Sequence, residues 1–252
     1  MCLILFAHKV HPEYRLIVAA NRDEFYQRPT APAHFWEDNP EILAGRDLEK
    51  MGTWMGVTKK GRFAALTNFR NPNEVTEGKR SRGELVSGAL KYDGDIIQYM
   101  KSLTRNNEVY PGYNLLAGDG DHLYYYSNVG QELGRLTPGI YGVSNHLLNT
   151  EWPKVQLGKA GLTEIINNKQ SDIVESLLTL LQKADQATDE KLPQTGVSLE
   201  LERMLSPMFI KSENYGTRSS TVLLMSEKEI HYVERVFSNN EINNQQYTIE
   251  LG

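Results

Sequence analysis

The chain has 252 residues, with 40% hydrophobic and 23% charged side chains and a net charge of −5. That length suits one large domain or two modest ones, and the acidic balance argues against general binding to a nucleic-acid backbone, which needs a basic surface. No apolar stretch reaches the roughly 20 residues of a membrane span, and one cysteine excludes an intrachain disulfide or a multi-thiolate zinc site.

The opening "MCLILFAHKV" lacks the basic flank and cleavage site of a secretory signal, so a cytoplasmic protein is expected. Leu3–His8 and Tyr14–Ala20 are short, apolar and rich in branched residues. The turn "VHPEY" between them predicts a hairpin. Cys2, Ile4 and Phe6 alternate with Leu3, Leu5 and Ala7, so both faces are apolar and the sheet should be covered on both sides. Facing positions in an antiparallel pair place Cys2 opposite Asn21 or Arg22. The strand should terminate in the polar run Asn21-Arg22-Asp23-Glu24.

Further hairpins are expected in "TWMGVTKKGRFAALTNF", "YNLLAGDGDHLYYYSN" and "STVLLMSEKEIHYVERVF", with single strands at "GIYGVSN" and "QYTIEL". "AGRDLEKMGTW", with Arg46 and Asp47, reads as a Gly-flanked loop; Trp36 and Trp54 nearby belong to the core or to a pocket wall. Two helical blocks intervene. "SRGELVSGALKY" carries Ser81 and Glu84 in capping-box spacing, and Asp93 should cap "DIIQYMKSLTR". The second block runs from Trp152 to about Leu205. Hairpins buried on both faces, with helices in two blocks, predict an α+β fold: a four-layer α/β/β/α sandwich of antiparallel sheets in a single domain, 1–252.

The position of the lone cysteine has chemical consequences. Once Met1 is removed, Cys2 carries its own base, an α-amine titrating near pH ~8. A neighbouring arginine favours the thiolate, and a carboxylate can orient the amine; Arg22, Asp23 and Glu24 supply both types. The plainer reading of Cys2 is a small buried hydrophobe, and of "NRDE" a polar strand end. Asn145 in "GVSNHLL" is either a turn or helix cap or an amide donor, and Arg218 in "YGTRSST" is either a surface arginine or part of a sheet-end pocket. His146 beside Asn145 could serve a papain-like Cys-His pair, but the N-terminal cysteine favours the amine. The histidines show no metal-ligand spacing, and there is no phosphate loop or dinucleotide fingerprint, so no metal and no cofactor are expected.

"MCL" with "AANRDEFYQRPT", "LAGRDLEKMGTWMGVTKKGRFAALTNFRNP", "SRGELV", "YNLLAGD", "YGVSNHLLNTEWPKV" and "YGTRSSTVLL" resembles the NRDE family, also called transport and Golgi organisation protein 2-like. That family is similar in turn to N-terminal nucleophile hydrolases of the penicillin V acylase and bile-salt hydrolase branch. The resemblance implies Cys2 as nucleophile, Asn145 as an oxyanion-hole amide and Arg218 near the nucleophile. It makes Thr67 or Asn68 the backbone donor completing that hole. The acylase branch has Arg-x-x-Asp where this chain reads Asn21-Arg22-Asp23-Glu24. Without a gap, Asn21 and Glu24 take those two places; a one-residue shift retains Arg22. Two functions follow as expectations: hydrolysis of a linear amide in a small molecule, or non-enzymatic ligand binding and trafficking, with haem or lipid as cargo, on the same fold.

Overall fold

The computed structural model describes residues 2–168, 172–238 and 241–252; the side chain of Cys2 lies outside the described residues. Six strands form the first sheet: β1 (Cys2–His8), β2 (Leu16–Phe25), β10 (Gly139–Val143), β11 (Tyr215–Met225), β12 (Glu229–Ser238) and β13 (Glu241–Glu250). Their order is β10-β1-β2-β11-β12-β13. Seven strands form the second, in chain order: β3 (Thr30–Trp36), β4 (Asn39–Asp47), β5 (Met55–Thr58), β6 (Phe63–Asn68), β7 (Tyr113–Gly118), β8 (Leu123–Ser127) and β9 (Leu133–Arg135). All pairings are antiparallel. Helices α1 (Gly83–Lys91) and α2 (Ile96–Leu103) cover the second sheet, and α3 (Pro153–Asn167) and α4 (Ile173–Leu181) cover the first. A short α5 (Leu199–Leu205) follows.

The alternation of β1 sets the layers. Ile4 and Phe6 face inward with Val18, Leu223, Val57, Phe63 and Leu116, the apolar seam between the two sheets. Leu3, Leu5 and Ala7 face the other way, against Val155, Leu162 and Leu177 of the helices. Leu5 sits so close to Gly158 of α3 that a Cβ there would come within 2.6 Å of Leu5 Cδ1. The four-layer sandwich is therefore the observed architecture. The Lys-Lys-Gly turn between β5 and β6 depends on Gly61, whose φ of +81° favours a residue without a side chain.

Several local expectations need correction. Strand β2 does not end at "NRDE" but runs through it to Phe25, because β11 pairs alongside as far as Tyr215↔Phe25. Asn21, Arg22 and Asp23 are buried instead of marking a polar rim. "AGRDLEKMGTW" is not wholly a loop: Arg46 and Asp47 end β4. Its partner β3 carries Pro32 and is an edge strand, the place where a sheet tolerates proline. Ser81 and Glu84 form no side-chain capping box; helix α1 begins at Gly83, and Glu84 pairs with Arg80. Asp95, not Asp93, caps α2, accepting from the Ile97 N–H.

Two buried polar side chains tie the layers together. Asn21 donates from Nδ2 to Leu181 O (2.9 Å) and Met208 O (2.8 Å), and its Oδ1 accepts from the Ser220 hydroxyl at 2.6 Å. This pins β2 to the end of α4 and to the segment after α5. Glu234 of β12 accepts the Ala33 N–H of β3 at 2.6 Å and so bridges the two sheets. Burial raises the Glu234 carboxyl above the usual carboxylate range, opposed by the Ala33 N–H, Ser219 and the Arg22 charge.

Asn21→Ala leaves two carbonyls and a hydroxyl without their buried partner and should cost roughly 3 kcal/mol in denaturant unfolding; a cost below about 1 kcal/mol would contradict the tether. The raised native pKa of Glu234 means that the unfolded chain gives up this proton first as pH rises. The carboxyl therefore costs stability above the ordinary carboxylate range, and the full cost is reached above the native pKa. Glu234→Gln keeps an acceptor for Ala33 and removes the ionisation, so its stability relative to the parent should improve from pH 4 to pH 7. Parallel stability profiles over that interval would contradict the assignment.

Candidate functional site

The register of β1 brings the predicted site residues to one end of the first sheet. Cys2 pairs with Arg22 on β2, and Ile4 pairs with Val143 on β10. Extending that second register by two residues puts Asn145 level with Cys2 on its other side. The Cys2 sulfur, and Met1 whose removal was expected, lie outside the described residues; the backbone placement of Cys2 is what the structure supplies.

Arg22 is buried, and its Cζ lies 4.1 Å from the centre of the Trp54 ring. Its Nη2 is 3.9 Å from Glu24 Oε2. Gly45 makes room for that indole: a Cβ there would fall 2.3 Å from Trp54 Cη2. The two tryptophans thus divide: Trp36 is core and Trp54 is cleft wall. Asp23 accepts from the Thr217 hydroxyl at 2.7 Å. Burial raises its carboxyl pKa, opposed by the Lys154 charge, the Thr217 bond and Arg22. Lys154 is itself buried at the start of α3, donating to Leu205 O at 3.0 Å. Glu24 is partly exposed and lines the cleft.

Asn145 is fully buried, and its amide is oriented at both ends. Oδ1 accepts from the Ser144 hydroxyl at 3.3 Å, and Nδ2 donates to Asn68 O at 3.0 Å. The second sheet therefore reaches the site through Asn68. In β6 the Leu66 N–H donates to Trp54 O, and the Phe69 N–H just beyond the strand donates to Gly112 O. N–H directions alternate along a strand. The Asn68 N–H thus points with that of Leu66, past the end of the β5 ladder and towards the cleft that Asn68 lines. The Thr67 N–H points the other way, towards β7, and its hydroxyl is buried against Asn114 Nδ2 at 3.0 Å. Of the two sequence candidates, Asn68 has the geometry of a donor to a ligand.

Arg218 is the extra residue of a β-bulge between Thr217↔Asp23 and Ser219↔Arg22. Its Nη1 donates to Phe25 O (2.9 Å) and Arg28 O (3.0 Å), bracing the turn after β2. Asn21 is turned to its structural tethers rather than to the cleft. His146 is held by Thr150 Oγ1 at 2.9 Å and sits between Phe69 and Trp152, and burial lowers its pKa.

A cleft of about 570 Å³ opens here, and ten of its eighteen lining residues are charged, among them Arg22, Glu24, Arg28, Asp47, Lys50 and Arg82. Arg28 binds Asp47 at 2.7 Å. Burial opposes ionisation of Asp47, but this bond and nearby backbone N–H groups hold its carboxyl below the ordinary range. A larger cleft of about 780 Å³ lies between the end of α4 and the facing ends of β12 and β13. It includes Arg218 but none of Arg22, Asp23, Glu24 or Asn68, all of which line the smaller cleft, so the smaller cleft is the candidate site; Asn21 and Asn145 are buried and line neither. The described residues contain no cluster of three or more His, Cys, Asp or Glu able to hold a metal, and no helix among them is long and apolar enough to cross a membrane.

Sequence reasoning missed Arg70, Glu202 and Lys154. Arg70 follows "TNF" directly, but nothing local marks its partner, 132 positions away.

Comparison with known proteins agrees with this architecture. The fold is similar to that of the Caenorhabditis elegans N-acylethanolamine-hydrolyzing acid amidase ortholog. The TM-score is 0.53 at 9% identity, covering 88% of this chain and 92% of that one. At that identity the likeness establishes the N-terminal nucleophile hydrolase-like fold and nothing finer. In sequence, the chain is 36% identical to the Mus musculus Transport and Golgi organization 2 homolog over 256 residues, 93% of this chain and 92% of the relative. It is 27% identical to the Drosophila melanogaster Transport and Golgi organization protein 2 over 270 residues, 94% and 93% of the two chains. The model of the Transport and Golgi organisation 2 family matches residues 1–239, and the chain belongs to that family.

Proposed function

We propose that the protein is a cysteine N-terminal nucleophile hydrolase that cleaves a linear amide in a small polar molecule after Met1 is removed. The observation that carries this reading is the register that pairs Cys2 with Arg22 and, extended past Ile4↔Val143, brings Asn145 level with it on the other side, with the Asn68 N–H pointing towards the cleft that Arg22 lines.

The chemistry follows from those positions. The α-amine of Cys2 takes the thiol proton, and the sulfur attacks the amide carbonyl. The charge of Arg22, held against Trp54, favours the thiolate. The negative oxygen of the tetrahedral intermediate is stabilised by Asn145 Nδ2 and the Asn68 N–H, a job that demands donors about 2.7–3.1 Å from it. The amine returns the proton to the leaving nitrogen, the carbon–nitrogen bond breaks, and a thioester remains. Water hydrolyses it by the same route in reverse roles. Asp23, next to Arg22 on β2 and bonded to Thr217, is the carboxylate that orients the α-amine. Arg218 acts on the scaffold, by fixing the turn that carries Arg28.

The charged lining favours a small polar substrate. A porphyrin or a long acyl chain would cover charges that now face water, at a cost that few apolar walls offset, so the carrier reading has less support from this cleft.

Cys2→Ala and Cys2→Ser, screened with the parent against a panel of small N-acyl amides, should abolish turnover. Circular dichroism should show the fold retained. Variants that turn over amides at the parental rate would overturn the assignment.

A further inference from the structure

The two proposed oxyanion donors belong to different sheets. Asn68 ends β6, and Asn145 lies two residues past β10. Nothing covalent fixes their spacing over the ångström or less that matters for a tetrahedral oxygen. Two hydrogen bonds join the segments directly: Asn145 Nδ2 to Asn68 O at 3.0 Å, and the Arg70 N–H to Asn145 O at 2.7 Å. They form a small ring whose corner is the backbone of Arg70.

The side chain of Arg70 continues from that corner into the protein. Its Nη1 lies 2.6 Å from Glu202 Oε2, with both side chains almost fully buried. The guanidinium lies 4.8 Å from the centre of the Trp152 ring, which precedes α3. Glu202 is held in turn: its Oε1 accepts from the Thr195 N–H at 3.0 Å and the Thr195 hydroxyl at 2.5 Å. Arg70 is not among the residues lining the candidate cleft. Burial lowers its pKa, opposed by Glu202, yet a guanidinium stays protonated at any ordinary pH.

A buried ion pair is a poor device for stability alone, since well-packed apolar residues serve as well or better. Its distinctive property is geometry: a rigid guanidinium lying over Trp152 and bonded through Nη1 to a carboxylate that Thr195 holds in turn permits little drift. We propose that the buried Arg70–Glu202 pair is a positioning device for the oxyanion donors, bolting the Asn68–Arg70 segment of one sheet to α5 and so fixing its distance from Asn145. The proposal rests on the hydrolase reading above. Arg70 and Glu202 are positioning residues and touch no substrate.

The test uses the single cysteine, which makes chemical labelling unambiguous. With p-nitrophenyl acetate, the thiolate forms a thioester and displaces p-nitrophenolate through a tetrahedral oxyanion. With iodoacetamide, the same thiolate forms a thioether and displaces iodide with no oxyanion. A positioning role predicts that Glu202→Leu lowers the acylation rate about tenfold or more while alkylation stays within about twofold. Glu202→Gln, which retains an acceptor for Arg70, should show a smaller loss of the same kind. General loosening of the fold would move both rates together, and that outcome counts against the proposal. Should Glu202→Leu fail to fold, Glu202→Gln alone decides. Variants with the parental ratio of acylation to alkylation overturn the latch and leave the hydrolase reading standing. A parent that is alkylated but never acylated overturns the hydrolase reading, and the latch with it.

Discussion

The pairing of β1 is the constraint on which the rest of the site depends. One seven-residue strand is buried on both faces and hydrogen-bonded on both edges, to β2 and β10. A one-residue slip would turn Ile4 and Phe6 out of the inter-sheet seam and Leu3 and Leu5 away from the helices. Packing on both faces and pairing on both edges hold one register, which pairs Cys2 with Arg22 and, continued past Ile4↔Val143, brings Asn145 level with it. Packing, which carries no chemistry of its own, determines where the chemistry can occur.

The same sheet end carries unusual charge burial. Arg22, Asp23, Lys154, Glu202 and Glu234 are all nearly inaccessible to solvent. Each is compensated differently: Arg22 by the face of Trp54, Asp23 by Thr217 and the Lys154 charge, Glu202 by Arg70 and Thr195, and Glu234 by the Ala33 N–H. Burying charge is expensive unless it is paired or hydrogen-bonded. The partners here are six residues spread along the chain: Ala33, Trp54, Arg70, Lys154, Thr195 and Thr217. The cost is recovered only when both sheets and the α3–α5 layer are assembled. Assembly of the whole sandwich and assembly of the site are then a single event.

The strands with strong apolar runs and obvious turns were legible in the sequence, as were the two helical blocks and the layer order. The facing of Cys2 was legible to within one residue, as Asn21 or Arg22, because hairpin register follows from turn position; the structure selects Arg22. What escaped had physical reasons. Strand β3 is an edge strand with Pro32 and irregular register, so it shows no clean alternation. The polar run at Asn21–Asp23 looked like a strand end because its partners, Leu181, Met208, Ser220 and Thr217, are remote in sequence. The choice between Thr67 and Asn68 turned on which way an N–H points, which needs the neighbouring strands. The Arg70–Glu202 pair joins two unremarkable residues that only the tertiary fold brings together.

The central claim is that Cys2 acts as an N-terminal residue with its own amine as base. Intact-mass measurement of the natively expressed protein tests it most directly. The account predicts a mass lower than the encoded chain by one methionine residue, leaving Cys2 at the amino terminus. A protein that retains Met1 throughout has no free amine on Cys2, and would contradict the mechanism at its first proton transfer.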